Sequence, residues 1–86
     1  MNAAGVLKEI VDYAAAFGLP SPIAVIEHVG DAEWYIQVRC DNPKTGVPVY
    51  TETRYRVVNH LTFAHRTLML GRTAVEMLHA RIETRH

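Results

Sequence analysis

The residue types best able to do chemistry in this 86-residue chain are its five histidines and its single cysteine, Cys40. His60 and His65 lie five positions apart, and His79 and His86 lie seven apart. Neither pair has the four-residue spacing that places two histidines on one helix face as metal ligands. Cys40 lies on the apolar face of a predicted strand, and the sequence identifies no neighbour that would stabilise a thiolate. We therefore interpret the histidines as solvated or capping groups and Cys40 as a buried structural residue, and we predict no metal site and no cofactor.

Recognised catalytic motifs are missing from the sequence, which has no glycine-rich phosphate loop, nucleophile elbow or paired-carboxylate motif. We therefore predict a non-catalytic protein without a small-molecule substrate. The length fits one domain, spanning residues 1–86. One cysteine, no signal-peptide pattern and no apolar run long enough to span a bilayer predict a protein of the cytoplasm or another reducing compartment, away from membranes.

The charges are distributed unevenly although the formal net charge is zero. Residues 1–53 hold three basic and seven acidic side chains, a net charge of −4, whereas residues 54–86 hold six basic and two acidic ones, a net charge of +4. Seven of the nine basic residues are arginine, which pairs well with carboxylates and phosphates. This division favours self-association or a complementary protein partner, and it leaves weak RNA contact open.

Hydrophobic periodicity predicts a helix, three strands and a second helix. Two helices on one face of a three-stranded antiparallel sheet make a two-layer α+β domain of α-β-β-β-α order. Asn2 is expected to cap the first helix, Gly18 to end it, and Asn59 to cap the second. The predicted bounds are helix 3–17, strands 22–29, 33–40 and 47–57, and helix 59–83.

The last predicted helix carries a continuous apolar seam, which we expect to pack on the protein's own sheet, with a dimeric coiled coil as the alternative. Gly71 within it predicts close packing or a slight bend. In the third strand, alternation predicts that Val49, Thr51, Thr53, Tyr55 and Val57 face inward. The seam residues are Leu61, Ala64, Leu68, Gly71, Val75, Leu78 and Ile82.

The outward face of the predicted sheet combines tyrosine and arginine side chains on neighbouring strands. Such residues are enriched at protein interfaces, and they also stack single-stranded bases, while an ordinary solvated face is the third interpretation. Leu70 and Met77 lie beside the apolar seam of the last helix and extend the candidate interface. The full set of interface candidates is Tyr35, Arg39, Tyr50, Arg54, Arg56, Leu70 and Met77.

Several of these segments resemble the double-stranded-RNA-binding domain. The matching residues are Leu7 to Glu9, Gly18 to Pro22, Gly30 between the first two strands, and Trp34 to Val38 in the second strand. The similarity of element order covers roughly residues 4–80, and the recognisable residues lie in the first half. The resemblance implies the α-β-β-β-α fold and a possible RNA partner.

In that family, the first helix, the loop between the first two strands and a lysine-rich start of the last helix contact RNA. By position, Glu9 matches the first region. The loop here, Gly30 to Glu33, carries two acids and no histidine, and the stretch from Leu61 to His65 keeps an alanine but lacks every lysine. The implied RNA-contact candidates are Glu9, Arg54, Arg56, His60, His65 and Arg66.

The leading hypothesis is a non-catalytic module of this fold that acts mainly through protein contacts, with a second copy as the expected partner. Members of the family that have lost their RNA contacts often dimerise through the third strand and last helix. The alternatives are a weak binder of double-stranded RNA and a small phage or accessory protein that binds a host protein. Two arrangements of the basic residues distinguish these hypotheses: convergence into one stripe beside Glu9 would favour RNA, whereas pairing with the acidic half would favour protein contact. The residues concerned are Arg54, Arg56, His65, Arg66 and Arg72.

Overall fold

The elements follow the predicted helix–strand–strand–strand–helix order in a computed structural model that describes residues 2–84. His86, part of one histidine pair considered above, and Arg85, counted in the basic half, lie outside these residues. Both helices pack on the sheet, so the α+β fold class is confirmed. The elements are α1 (Ala3–Ala16), β1 (Ile23–His28), β2 (Glu33–Asp41), β3 (Pro48–Arg56), a short 3-10 helix (His60–Thr62) and α2 (Phe63–Thr84).

The first helix begins and ends where its capping residues predict, to within one residue. The Asn2 side chain accepts a hydrogen bond from the Gly5 N–H at 2.9 Å. Gly18 has a φ of +82°, the left-handed conformation that only glycine adopts without strain. The helix therefore ends at Ala16, one residue before the predicted end.

The sheet is a meander in the order β1-β2-β3, with both pairings antiparallel. Ile36 in the central strand lies opposite Ile26 of β1 and Thr53 of β3, which fixes the register of both pairs. The turn between β2 and β3 is closed by Asn42, whose side chain accepts from the Lys44 N–H at 2.9 Å. The strands differ from the predicted bounds by one residue at several ends.

The second helical segment does not begin as one continuous helix at residue 59. Asn59 caps the 3-10 helix, accepting from the Leu61 N–H at 2.9 Å, and α2 starts only at Phe63. Leu61 was expected to begin the buried seam, but it is 79% exposed because it lies in this turn rather than over the sheet. Among the described residues, neither helix is long and apolar enough to cross a membrane.

The core lies between the inward sheet face and the two helices. The seam of α2 packs inside the molecule, where Val75, Leu78 and Ile82 are buried, so the seam does not form an external coiled coil. Gly71 is buried, and a Cβ built on it would lie 2.3 Å from Cδ1 of Ile10, so glycine allows α1 and α2 to approach closely.

The inward face of β3 is covered unevenly. Thr51, Tyr55 and Val57 are buried as predicted, and Val49 is half-buried. Thr53 shares that face by register but is exposed, which corrects the expectation that it joins the core. It lies at the sheet edge, in a groove beside α2 that the helix does not fill.

Candidate interaction surface

The five predicted interface residues of the sheet lie together on its outward face, spread over β2 and β3. Tyr35 lies directly opposite Arg54, and Arg39 lies directly opposite Tyr50. Arg56 lies at the end of the same face. The three arginines and Tyr50 are exposed, while Tyr35 is half-buried. The alternation of the strand sequences therefore identified one continuous surface.

Acidic side chains interrupt this surface, so it is not a basic patch. Glu27, Glu33 and Glu52 share the face with the three arginines, since Glu33 lies opposite Arg56 and Glu27 opposite Tyr35. The Tyr35 hydroxyl donates a hydrogen bond to the Glu52 carboxylate, and this bond raises the pKa of Tyr35 above its usual value. Asp41 at the end of β2 shares this face, which thus carries four acidic and three basic side chains. Such a mixture suits a complementary protein surface better than a phosphate backbone.

The edge of β3 that points away from β2 has no strand beside it among residues 2–84. Two hydrogen bonds at the ends of the hairpin show which backbone groups face this edge. The Val47 carbonyl accepts from the Asn42 N–H at 2.9 Å, and the Val57 N–H donates to the Ala32 carbonyl at 2.8 Å. Because backbone groups along a strand alternate in direction, odd-numbered β3 residues face β2. The residues whose backbone groups face the free edge are Tyr50, Glu52, Arg54 and Arg56, and of these the Tyr50 carbonyl accepts a hydrogen bond from Arg81.

An apolar groove, which we call the edge groove, runs between β3 and the flank of α2. It holds about 170 Å³ and adjoins an open recess of about 430 Å³ near Tyr50. Met77 is 56% exposed beside it, and Leu70 is half-buried in its wall. The Arg81 guanidinium closes the far end by donating to the Tyr50 carbonyl at 2.8 Å. The groove is lined by Thr51, Glu52, Thr53, Leu70, Thr73, Ala74 and Met77.

The residues considered for RNA contact do not form one stripe beside Glu9. Arg54 and Arg56 lie on the outward face of β3, whereas α1, which carries Glu9, packs against β1 at the other side of the sheet. Of the five basic residues expected to distinguish the hypotheses, Arg72 is the one found beside Glu9, with 3.8 Å between the glutamate Oε2 and the arginine Nη2. The same guanidinium lies 5.6 Å from the ring centre of Tyr13. His60 lies in the 3-10 helix, and His65 and Arg66 lie exposed in the first turn of α2.

The histidines are spread over the fold. His28 stacks on Trp34 with 4.5 Å between ring centres, and His79 packs edge-on against Phe17 at 5.1 Å. Within residues 2–84, no three histidine, cysteine, aspartate or glutamate side chains gather closely enough to hold a metal ion. These histidines act as packing and surface groups.

Cys40 is buried on the inward face of β2, as predicted, and is 1% exposed. Burial raises the pKa of its thiol above the ordinary value, and the neighbouring Asp41 carboxylate raises it further. A raised pKa together with burial leaves little accessible thiolate at neutral pH, which is the opposite of a reactive cysteine.

Cys40 should therefore react slowly with a thiol reagent while the protein is folded. At pH 8 we expect alkylation by iodoacetamide to be about 100-fold slower than in denaturant, because the reaction needs an opening of the sheet. Mass spectrometry of timed samples measures both rates. Because the pKa is higher in the folded state, the stability that the protonated thiol contributes is complete below the ordinary pKa of a thiol and is lost as the pH rises through the folded value. Equal rates in buffer and denaturant would contradict this assignment.

Comparison with protein-family models, curated proteins and solved structures finds no match for this chain. Two residues of the candidate surface were not identified from sequence. Arg81 reaches the β3 backbone from α2, and Thr53 opens the edge groove. The sequence shows that the charged side chains of β3 are at even-numbered positions. It does not show that the backbone groups of these residues face the free edge, because that depends on the register with β2.

Proposed function

We propose that this chain is a non-catalytic protein-interaction module that self-associates through the free edge of β3 and the adjoining flank of α2. The observation that carries the proposal is the exposed edge strand beside an apolar groove. An unpaired strand edge offers a row of backbone donors and acceptors to another chain. The exposed Met77 side chain beside that row adds apolar area that a partner would cover.

The charge arrangement supports a protein partner over a nucleic acid. Binding to a phosphate backbone draws on an excess of basic side chains, whereas the outward face mixes four carboxylates with three arginines. In α1 the counterpart of an RNA-contacting glutamate is already engaged by Arg72. Weak binding of double-stranded RNA is therefore the less supported alternative.

The α-β-β-β-α order is also that of the double-stranded-RNA-binding domain, which the first half of the sequence resembles. We propose that the chain is a member of this architectural class that uses its third strand and last helix for protein contact. Fold similarity is an association rather than a mechanism, so the proposed role is based on the edge and the groove. The free thiol of Cys40 supports a reducing intracellular compartment.

Substitution of Met77 by Glu should weaken self-association by at least about tenfold, because it places a charge beside the edge groove where apolar contact is expected. Sedimentation velocity from micromolar to millimolar protein measures the effect. The matched control is Met69→Glu on the same helix. Met69 is 49% exposed, and the eight-residue offset turns it about 80° around the helix from Met77, away from β3.

Three outcomes separate the proposals. A concentration-dependent dimer that Met77→Glu weakens and Met69→Glu preserves would support association through the β3 edge. A wild-type protein that stays monomeric at millimolar concentration would overturn it. A complex with a labelled RNA duplex that forms at low salt and dissociates as salt rises would favour the RNA alternative.

A further inference from the structure

We propose that the free edge of β3 pairs antiparallel with the same edge of a second copy, in the register that places Thr53 opposite Thr53 of the partner subunit. This inference depends on the proposed self-association and specifies its geometry. It follows from which backbone groups face the free edge and from the charges attached to those residues.

Only some registers allow two such edges to form a hydrogen-bonded ladder. In an antiparallel pair, residues that exchange hydrogen bonds must both direct their backbone groups towards the partner strand. On this edge those residues have even numbers, so Glu52 must lie opposite an even-numbered residue of the partner. The permitted two-fold registers near the middle of the strand are centred on residue 51, 52, 53, 54 or 55.

Charge selects among these registers, because like charges directly opposite each other destabilise a strand pair. Centring on Glu52 places it opposite its own copy, and centring on Arg54 does the same for that arginine. Centring on residue 55 places Arg54 opposite the partner's Arg56. Centring on residue 51 pairs only the first part of the strand, which begins at Pro48.

The register centred on Thr53 contains only complementary pairs. Glu52 lies opposite Arg54 of the partner subunit, and Tyr50 lies opposite the partner's Arg56, each pair occurring twice through the symmetry. The first pair joins opposite charges, and the second sets a guanidinium beside an aromatic ring. The Tyr50 carbonyl already accepts from Arg81 of its own copy, so in the outer pair it takes the backbone N–H across the axis as a second hydrogen bond or in place of Arg81. The inward-facing Thr53 side chain, exposed in the single copy, then lies on the two-fold axis.

The edge groove lies beside the two-fold axis of this arrangement, where the two copies would make apolar contact. Thr53 shares the groove with Leu70 and Met77 of α2. Since Thr53 lies on the axis, the two grooves face each other across it. The half-buried Leu70 and exposed Met77 of each copy are thus brought towards their counterparts.

Charge reversal tests the register directly. Glu52→Arg and Arg54→Glu should each weaken the dimer by about tenfold, because each creates two like-charge pairs across the axis. The double variant restores opposite charges at both positions, so its dimerisation constant should return to within about threefold of the wild type. Sedimentation velocity measures all three, and circular dichroism checks that each variant is folded. Glu27→Arg is the matched control, because Glu27 lies on the same face but in β1 at the opposite edge.

A cross-linking experiment gives a second measurement that does not depend on charge. Thr53 and its counterpart would form a pair without mutual hydrogen bonds, whose Cα atoms lie about 4.5 Å apart, within disulfide range. Thr53→Cys in a Cys40→Ala background should therefore form a covalent dimer on mild oxidation. Arg54→Cys in that background should cross-link poorly, because each Arg54 lies opposite Glu52 of the partner subunit.

The results distinguish failure of the register from failure of the proposed function. A dimer that Met77→Glu weakens, but that both charge reversals leave intact, would overturn the register and retain association through this flank. Preferential cross-linking by Arg54→Cys would likewise overturn it in favour of centring on residue 54. A strictly monomeric wild type would overturn both.

Discussion

Replacing Ile10 with Ala should lower the free energy of unfolding by about 2–5 kcal/mol, because the side chain is fully buried between α1 and α2. Its removal leaves a cavity where the two helices meet most closely. Cδ1 and Cγ1 of Ile10 lie 2.3 and 2.6 Å from the position that a Cβ on Gly71 would take. Chemical denaturation of the purified variant in dilute solution measures the change.

The effect of Gly71→Ala on the free energy of unfolding should change sign with the residue at position 10. In the wild type, the added methyl group meets Ile10, and overpacking of about 1–3 kcal/mol exceeds the gain of about 1 kcal/mol in helix propensity. In the Ile10→Ala background, the added methyl group enters the space that the isoleucine side chain has left, so Gly71→Ala should stabilise the protein. Ala80→Gly on the exposed face of α2 is the control, because it measures helix propensity alone.

Simple additivity of the Ile10 and Gly71 substitutions would contradict this packing. If Gly71→Ala stabilised the wild type by as much as Ala80→Gly destabilises it, close approach at Gly71 would have no energetic consequence. The coupling free energy from the double-mutant cycle is therefore the decisive quantity.

Thr67→Val should lower the free energy of unfolding by about 1–3 kcal/mol, because it leaves a buried hydroxyl without a partner. Thr67 is fully buried, and its Oγ1 lies 2.7 Å from the Tyr55 hydroxyl, which ties α2 to β3. Tyr55→Phe should have a smaller effect, since the Thr67 hydroxyl can turn to the carbonyl four residues earlier in the helix. The double variant should be more stable than the sum of the two losses predicts.

The control for this hydrogen bond is Thr73→Val, the same substitution at an exposed position of α2. In dilute solution it should change the unfolding free energy by less than about 0.5 kcal/mol, as is usual for exposed sites. Urea denaturation followed by Trp34 fluorescence would report all four variants. An equal loss for Thr67→Val and Thr73→Val would mean that the buried hydrogen bond makes no net contribution.

The fold was predictable because its signals are local. Asn2 and Gly18 delimit the first helix through their own hydrogen bonds and backbone angle, and the alternation in β2 shows which face is buried. The exposure of Leu61 was not predictable, because the heptad spacing continues through Asn59, whose side chain selects a 3-10 turn instead. Helical periodicity shows which residues would share a helix face, but it does not show at which residue the helix begins.

The candidate surface was predictable in its residue types and only partly in its geometry. Alternation correctly placed Tyr35 and Arg54 on one face. It could not show that Arg72 of α2 would meet Glu9 of α1, because that contact depends on how the helices cross at Gly71. Likewise, the buried pairing of Thr67 with Tyr55 joins two elements whose relative positions the sequence does not state.

The strand order β1-β2-β3 has a consequence for how large an assembly can become. If β3 pairs with its own copy as proposed, the two three-stranded sheets would merge into one of six strands, with both β3 strands at the centre and β1 at each end. Such a contact would use the same patch twice and would therefore be closed, so association through it would stop at two subunits instead of propagating into a fibre. The proposed pairing would thus give a finite assembly through an unpaired strand edge that would otherwise favour aggregation.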